Sequence, residues 1–110
     1  MFADSRKKKL KIGVVGVGHM GHYHVNVLSS MLTHRLVGVY DSSWERAQQI
    51  ASKYETKAVK SLPQLLERCD AVVVAVPTAL HYEISKIALD AGCHILVEKP
   101  VTRQCLRQEI

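Results

Sequence analysis

Two kinds of apolar pattern alternate along this chain. Short runs rich in β-branched residues occur at Leu10–Val17, Leu36–Tyr40, Ala71–Val76 and His94–Val97, with a weaker one at Lys57–Lys60. Runs that are apolar throughout, instead of alternating, belong to strands buried on both faces, the mark of a parallel sheet. Between them apolar residues recur at helical spacing. Met20, His24, Val27, Leu28, Met31 and Leu32 form one such set, and Trp44, Ala47, Ile50, Ala51 and Tyr54 the next. Ser61-Leu-Pro-Gln64 reads as a capping box with proline in the first turn, followed by Leu65 and Leu66. Thr78 is placed to cap a further helix whose apolar face is Leu80, Ile84, Ile87, Ala88 and Ala91, with Gly92 as its terminating glycine. A last helical pattern, Thr102, Leu106 and Ile110, runs to the end of the sequence.

This alternation predicts an α/β fold, a Rossmann-like doubly wound parallel sheet with right-handed crossovers and helices on both faces. The expected strand order is 3-2-1-4-5. The weak third strand, flanked by Lys57 and Lys60, suits a protected edge. No repeat beyond the βα unit and no internal boundary is evident, so residues 10–110 read as one domain behind a basic tail, residues 1–9.

The composition is that of an ordinary globular chain: 110 residues, 47% apolar and 23% charged. No apolar run approaches the roughly 20 residues of a membrane-spanning helix. The net charge of +5 suggests nucleic acid, but its distribution argues against that. Arg6, Lys7, Lys8, Lys9 and Lys11 against Asp4 account for +4 of it within residues 1–11. A nucleic-acid footprint is a basic stripe on the folded surface, not a terminal leader. The leader lacks the apolar core and cleavage site of a secretory signal. Cys69, Cys93 and Cys105 form neither a disulfide framework nor a zinc pattern, which fits reduced thiols in the cytoplasm.

The chemistry begins at Gly16-Val-Gly18-His-Met-Gly21, where the first strand turns into the first helix. Gly-x-Gly-x-x-Gly is weak alone and gains meaning between a buried strand and an amphipathic helix. For a bound dinucleotide, Gly16 makes the tight turn, Gly18 lets the backbone approach the pyrophosphate, and Gly21 lets helix and strand pack closely. The helix N-terminus, with His19 and Met20, then faces the phosphates. The alternative is a purely structural turn. Asp41 lies 20 residues beyond Gly21, at the end of the second strand, where a carboxylate accepts from the ribose hydroxyls and repels a 2′-phosphate. That favours NAD, with NADP possible through Arg46. The competing role for Asp41 is N-cap of a helix starting at Ser43.

Two more segments fall at strand carboxyl ends, where open parallel sheets bind ligands: Val76-Pro-Thr78-Ala-Leu-His81 and Val97-Glu-Lys-Pro100. Together with Gly16–His24 and Ala88-Leu-Asp-Ala-Gly92-Cys-His94, they make residues 10 to about 101 resemble the Gfo/Idh/MocA oxidoreductases. The resemblance implies a nicotinamide-dependent dehydrogenase acting on a hydroxyl of a sugar, cyclitol or nucleotide sugar. It implies that Lys99 is the catalytic residue, reaching the reacting hydroxyl and the nicotinamide. Glu98 and Pro100 would shape its loop, and Pro77, Thr78 and His81 would line the cofactor pocket. A cation there stabilises alkoxide character as hydride leaves.

Family members are about three times longer and carry a second α/β domain with the substrate pocket and, commonly, the oligomer interface. On that comparison the chain is an N-terminal part, ending before the last strand of its sheet, that binds NAD without turning over substrate. The full-length protein is expected to be a homo-oligomer. An NAD(P)-binding sensor without dehydrogenase activity is the alternative, since fold alone does not fix function; the intact Glu98-Lys99-Pro100 favours the enzyme. His19, His22 and His24 do not converge as metal ligands, so no metal is expected. His22 or His24 faces the substrate side or packs. Trp44 is expected to cover its own helix, with the adenine side as the alternative, and no cysteine has the neighbours of a nucleophile.

Overall fold

The computed structural model describes residues 10–31 and 34–96. Along the chain run β1 (Leu10–Val15), α1 (His19–Ser29), β2 (His34–Tyr40), α2 (Trp44–Lys53), α3 (Leu62–Arg68), β3 (Ala71–Val74), α4 (Thr78–Asp90) and β4 (His94–Leu96). The strands pair in parallel in the order β2-β1-β3-β4. Successive strand side chains enter two cores. Ile12, Val14, Ala71 and Val73 meet Val25 and Leu28 of α1 and Ala47, Ile50 and Ala51 of α2 on one face. Val15, Val72 and Val74 meet Leu62, Leu65 and Leu66 of α3 and Ala88 of α4 on the other. The apolar runs are continuous because both faces are covered.

Where five strands were expected, the described residues form four and an isolated bridge. Lys57–Lys60 keeps its predicted place beside β2 but pairs only through Val39 and Ala58. Val39 N–H donates to Lys57 O (2.8 Å) and Val59 N–H to Val39 O (2.9 Å). The chain then turns at once into α3, so no length remains for a ladder. The 3-2-1-4-5 order survives, with its outermost member reduced to a single pair. The expected helix at 102–110 and the end of the last strand at Val97 lie outside the described residues.

The helix ends obey local chemistry. Ser43 Oγ accepts from Arg46 N–H (3.2 Å) and Ser61 Oγ from Gln64 N–H (3.3 Å), capping α2 and α3. Gly92 follows α4 at φ +88°; its N–H donates to Leu89 O and that of Cys93 to Ala88 O, a Schellman end. Two expected faces change. On α1 the buried residues are Gly21, Val25 and Leu28, whereas Met20, Val27 and Met31 are exposed. Contact of Gly21 with the end of β1 sets that rotation. On α4 only Ala88 is buried, and Leu80 and Ile87 stand out from the core.

Candidate cofactor-binding crevice

β1 ends at Val15, and the chain must leave the sheet without blocking the turn to α1. Gly16 does this at φ +91°, where its N–H donates to Tyr40 O (2.7 Å). A side chain at Gly16 would strike the Ala75 carbonyl oxygen at 2.6 Å, and one at Gly21 would lie 1.6 Å from the Gly16 carbonyl oxygen. Both glycines are demanded by the protein itself, at a left-handed φ and at a helix–strand contact.

Gly18 differs. Its φ is −71°, and a Cβ there would meet nothing closer than Arg46 Nη1 at 3.9 Å. No neighbouring atom calls for glycine here.

The helices around this point share a second property. Gly18 stands at the N-cap position of α1 and Pro77 at that of α4, and neither N-terminus has a side-chain cap or an acidic residue in its first turn. Thr78 is therefore not the cap of α4: the helix begins one residue earlier than a Thr78 cap requires. Both helices follow directly from strand carboxyl ends, so their orphan N–H groups and positive dipole ends border one crevice. α2, which leaves the carboxyl end of β2 after a gap of the same length, and α3 are instead capped by serine.

Asp41, 9% exposed, sits just beyond β2. Its Oδ1 accepts from Val17 N–H (3.0 Å) and its Oδ2 from Ser43 N–H (2.8 Å) and Arg46 Nη1 (3.4 Å). The competing N-cap assignment is thereby corrected: Ser43 caps α2, which begins at Trp44, because its hydroxyl sits one residue before the first turn while Asp41 is turned toward the glycine loop. A carboxylate oxygen has two acceptor sites, so these three bonds leave one, on Oδ1, for a hydroxyl donor. The brace from Asp41 to Val17 could not be read from spacing alone, although the short, polar side chain at a strand end was the available signal.

The other predicted residues distribute as follows. His19, Met20, Pro77 and Thr78 are exposed around the crevice. His81, half-buried on α4, pairs through Nδ1 with Ser85 Oγ (3.4 Å). Glu98, Lys99 and Pro100 lie outside the described residues. His22 packs: its Nε2 meets Tyr54 Oη at 2.8 Å, edge-on to the ring. Trp44 is partly exposed beneath Lys60 Nζ, 5.1 Å from its ring centre. Among the described residues no group of three His, Cys, Asp or Glu could hold a metal ion, and no helix is long and apolar enough to cross a membrane.

Among the described residues, the thiols of Cys69 and Cys93 lie at the opposite, amino ends of the strands. Cys69 precedes β3 and Cys93 precedes β4. Burial, helped by Cys93, pushes the Cys69 thiol up to about 12, and burial also raises that of Cys93. Such thiols are inert. Two surface grooves, of about 370 and 220 Å³, run along residues 57–60 with α3 and between α3 and α4. Neither touches the glycine loop, so the crevice is assigned from its backbone groups and Asp41, not from enclosed volume.

Known proteins share this fold. A profile of an oxidoreductase family with an NAD-binding Rossmann fold matches residues 10–108. UDP-N-acetylglucosamine 3-dehydrogenase of Acidithiobacillus ferrooxidans is 38% identical over 93 residues, which cover 84% of this chain and 29% of that protein. GenD2 from gentamicin A biosynthesis, solved in complex with NAD, superposes with a TM-score of 0.79 at 32% identity, over 87% of this chain and 28% of that one. KijD10, a 3-ketoreductase from Actinomadura kijaniata solved with NADP and TDP-benzene in an open conformation, gives 0.77 at 30% identity, over 86% and 31%. The chain thus spans less than a third of the length of each. This chain belongs to the Gfo/Idh/MocA oxidoreductase family and carries its NAD-binding Rossmann fold.

Proposed function

We propose that these residues form the cofactor half of a nicotinamide-dependent oxidoreductase acting on a hydroxyl of a sugar, cyclitol or nucleotide sugar. The observation that carries this reading is Gly18, a glycine the protein's own packing does not require, between two helix N-termini without side-chain caps. The named relatives, a UDP-sugar dehydrogenase and a 3-ketoreductase solved with a TDP derivative, supply the substrate class.

In this reading the N–H groups of the first turn of α1, with His19 and Met20 beside them, hold the pyrophosphate. Asp41 accepts from the adenosine ribose and favours NAD. Pro77, Thr78 and His81 line the wall toward the nicotinamide. The cofactor supplies a hydride acceptor at its ring. Lys99 holds the reacting oxygen and stabilises its negative charge as the C–H bond breaks, with Glu98 and Pro100 setting its loop. The substrate pocket belongs to the portion of the relatives' length that this chain does not span. The domain is residues 10–110 behind a basic tail, residues 1–9, in a cytoplasmic protein that forms homo-oligomers at full length and does not bind nucleic acid.

The test is a titration of the 110-residue chain with NADH, followed by nicotinamide fluorescence, beside a hydride-transfer assay over a sugar and nucleotide-sugar panel. Saturable binding without turnover is expected. Folded protein that binds no nicotinamide nucleotide, or robust turnover by these residues alone, overturns the reading.

A further inference from the structure

We infer that Ser85 is a positioning residue for this crevice: its hydroxyl holds Nδ1 of His81, so that Nε2–H of the same ring is presented as a donor to an oxygen on the nicotinamide half of the cofactor. The inference rests on the cofactor reading above and deepens it. α4 begins against the glycine turn. Ala75 N–H donates to Val15 O (2.8 Å), and the Ala75 carbonyl oxygen and Cβ stand 2.6 and 3.6 Å from the Cβ positions of Gly16 and Gly21. His81 is the fourth residue of the helix that follows. Residues 81, 85 and 88 share one helix face, and Ala88 is the buried residue of α4. The imidazole is therefore on the sheet side of α4, near the end that adjoins the glycine turn, and both His81 and Ser85 are half-buried. β3 leads into α4 and lies across β1 from β2, whose end carries Asp41. A dinucleotide anchored at Asp41 thus brings its other half to the side of His81.

Ser85 departs from the other serines at helix ends and interiors in this chain. A serine within a helix ordinarily returns its hydroxyl to a carbonyl one turn back. Ser29 Oγ donates to Asn26 O (2.9 Å) and Ser30 Oγ to Val27 O (3.1 Å) in that way at the end of α1. Ser85 Oγ instead makes its hydrogen bond with His81 Nδ1, at 3.4 Å. Serine is a poorer helix former than alanine, so helix propensity does not account for its presence here.

The direction of that bond decides what the ring offers. A hydroxyl accepting from Nδ1–H would leave its own proton without an acceptor among the described residues, an unfavourable state for a half-buried group. A hydroxyl donating to Nδ1 is satisfied, and the neutral ring then carries its proton on Nε2. Nε2 has no partner among the described residues. The ring thus offers one donor in one direction, and the matching acceptors on the nicotinamide half are its carboxamide oxygen and its ribose hydroxyls. At 3.4 Å the Ser85 contact is long. An acceptor on Nε2–H makes Nδ1 more basic, so the two bonds reinforce each other when ligand is bound.

The test uses the whole 110-residue chain with NADH, ADP-ribose and AMP, each variant checked for wild-type circular dichroism and urea midpoint. Long-range proton–nitrogen spectra of the histidine rings, taken well above the histidine titration range, should show His81 of the wild type as the single Nε2–H tautomer. Ser85→Ala should average the two tautomers, and Ser85→Thr should keep the wild-type pattern. Ser85→Ala should weaken NADH by about three- to tenfold while changing AMP by less than about twofold, and Ser85→Thr should restore the affinity. A loss shared by ADP-ribose identifies a ribose hydroxyl as the acceptor, and a loss confined to NADH identifies the carboxamide. In a His81→Gln background, where an amide N–H replaces Nε2–H without help from residue 85, Ser85→Ala should have no further effect on NADH. An Nδ1–H tautomer in the wild type, a His81 spectrum unmoved by Ser85→Ala, or equal weakening of NADH and AMP overturns the assignment. So does unchanged NADH affinity in Ser85→Ala when the wild type binds NADH. Folded wild type that binds none of the three nucleotides removes the cofactor reading itself and this inference with it.

Discussion

Two alanines, three residues apart at one strand-to-helix turn, should have opposite consequences. Gly21 lies inside α1, where alanine is intrinsically better than glycine by up to about 1 kcal/mol. Here its methyl would stand 1.6 Å from the carbonyl oxygen of Gly16. A comfortable separation is about 3.5 Å, so α1 and the end of β1 would have to part by roughly 2 Å. Both colliding groups belong to the main chain, and no rotamer relieves them. The net expectation for Gly21→Ala is a loss of about 3 kcal/mol or more, a large share of a small domain's stability. Gly18→Ala meets only an ordinary contact at 3.9 Å. As a poorer N-cap, alanine costs on the order of 0.5–1 kcal/mol there, but its methyl occupies the line of approach of the pyrophosphate. Affinity for NADH should fall at least about tenfold. Urea unfolding followed by circular dichroism gives the stabilities, and nucleotide titration gives the affinities. Gly21→Ala within about 1 kcal/mol of wild type would refute the packing argument. Gly18→Ala with unchanged affinity in a folded chain would refute the close approach.

Two further expectations follow from the helix ends and the thiols. Ser61→Ala should cost about 1 kcal/mol by removing the acceptor for Gln64 N–H, whereas Thr78→Ala should cost less than about 0.5 kcal/mol, since Thr78 caps nothing; equal losses in urea unfolding would contradict the assigned caps. The Cys69 thiol, ordinarily near 9.0 and raised to about 12 by burial and by Cys93, stays protonated when the unfolded chain begins to ionise. Its contribution to stability is therefore complete below about pH 9 and is lost as pH rises from there to about 12. Native Cys69 should react with iodoacetamide at pH 8.5 far more slowly than in urea, with peptide mass analysis as the measurement; equal rates would count against that burial.

What the sequence disclosed and what it withheld divide along the range of the forces involved. The glycine turn, Asp41 at the strand end, the serine cap at Ser61 and the glycine at 92 are decided within a few residues, and each is visible in the chain's own order. The double-sided burial of β3 is written in its unbroken valines, and that of β1 in Val14 and Val15. The rotation of α1 was not legible, because Met20, Val27 and Met31 have the same helical spacing as a core face. Only the contact of Gly21 with Gly16, across the turn, selects Val25 and Leu28 instead. The third strand shrank to a pair at Ala58 because α3 begins too soon after it, which local propensity does not record. In the same way, local sequence offered Asp41 as the cap of a helix starting at Ser43. Val17 N–H, brought near by strand pairing, took the carboxylate and left the helix to the serine.

That division of labour has a consequence for any attempt to re-engineer the crevice. The carboxylate of Asp41 is already immobilised by Val17 and Ser43 before a nucleotide arrives, so its rotational freedom is surrendered during folding and not at each encounter with ligand. Replacing it to invert coenzyme choice removes a rivet between two loops along with a charge. A successful redesign must bring a substitute acceptor for the Val17 amide.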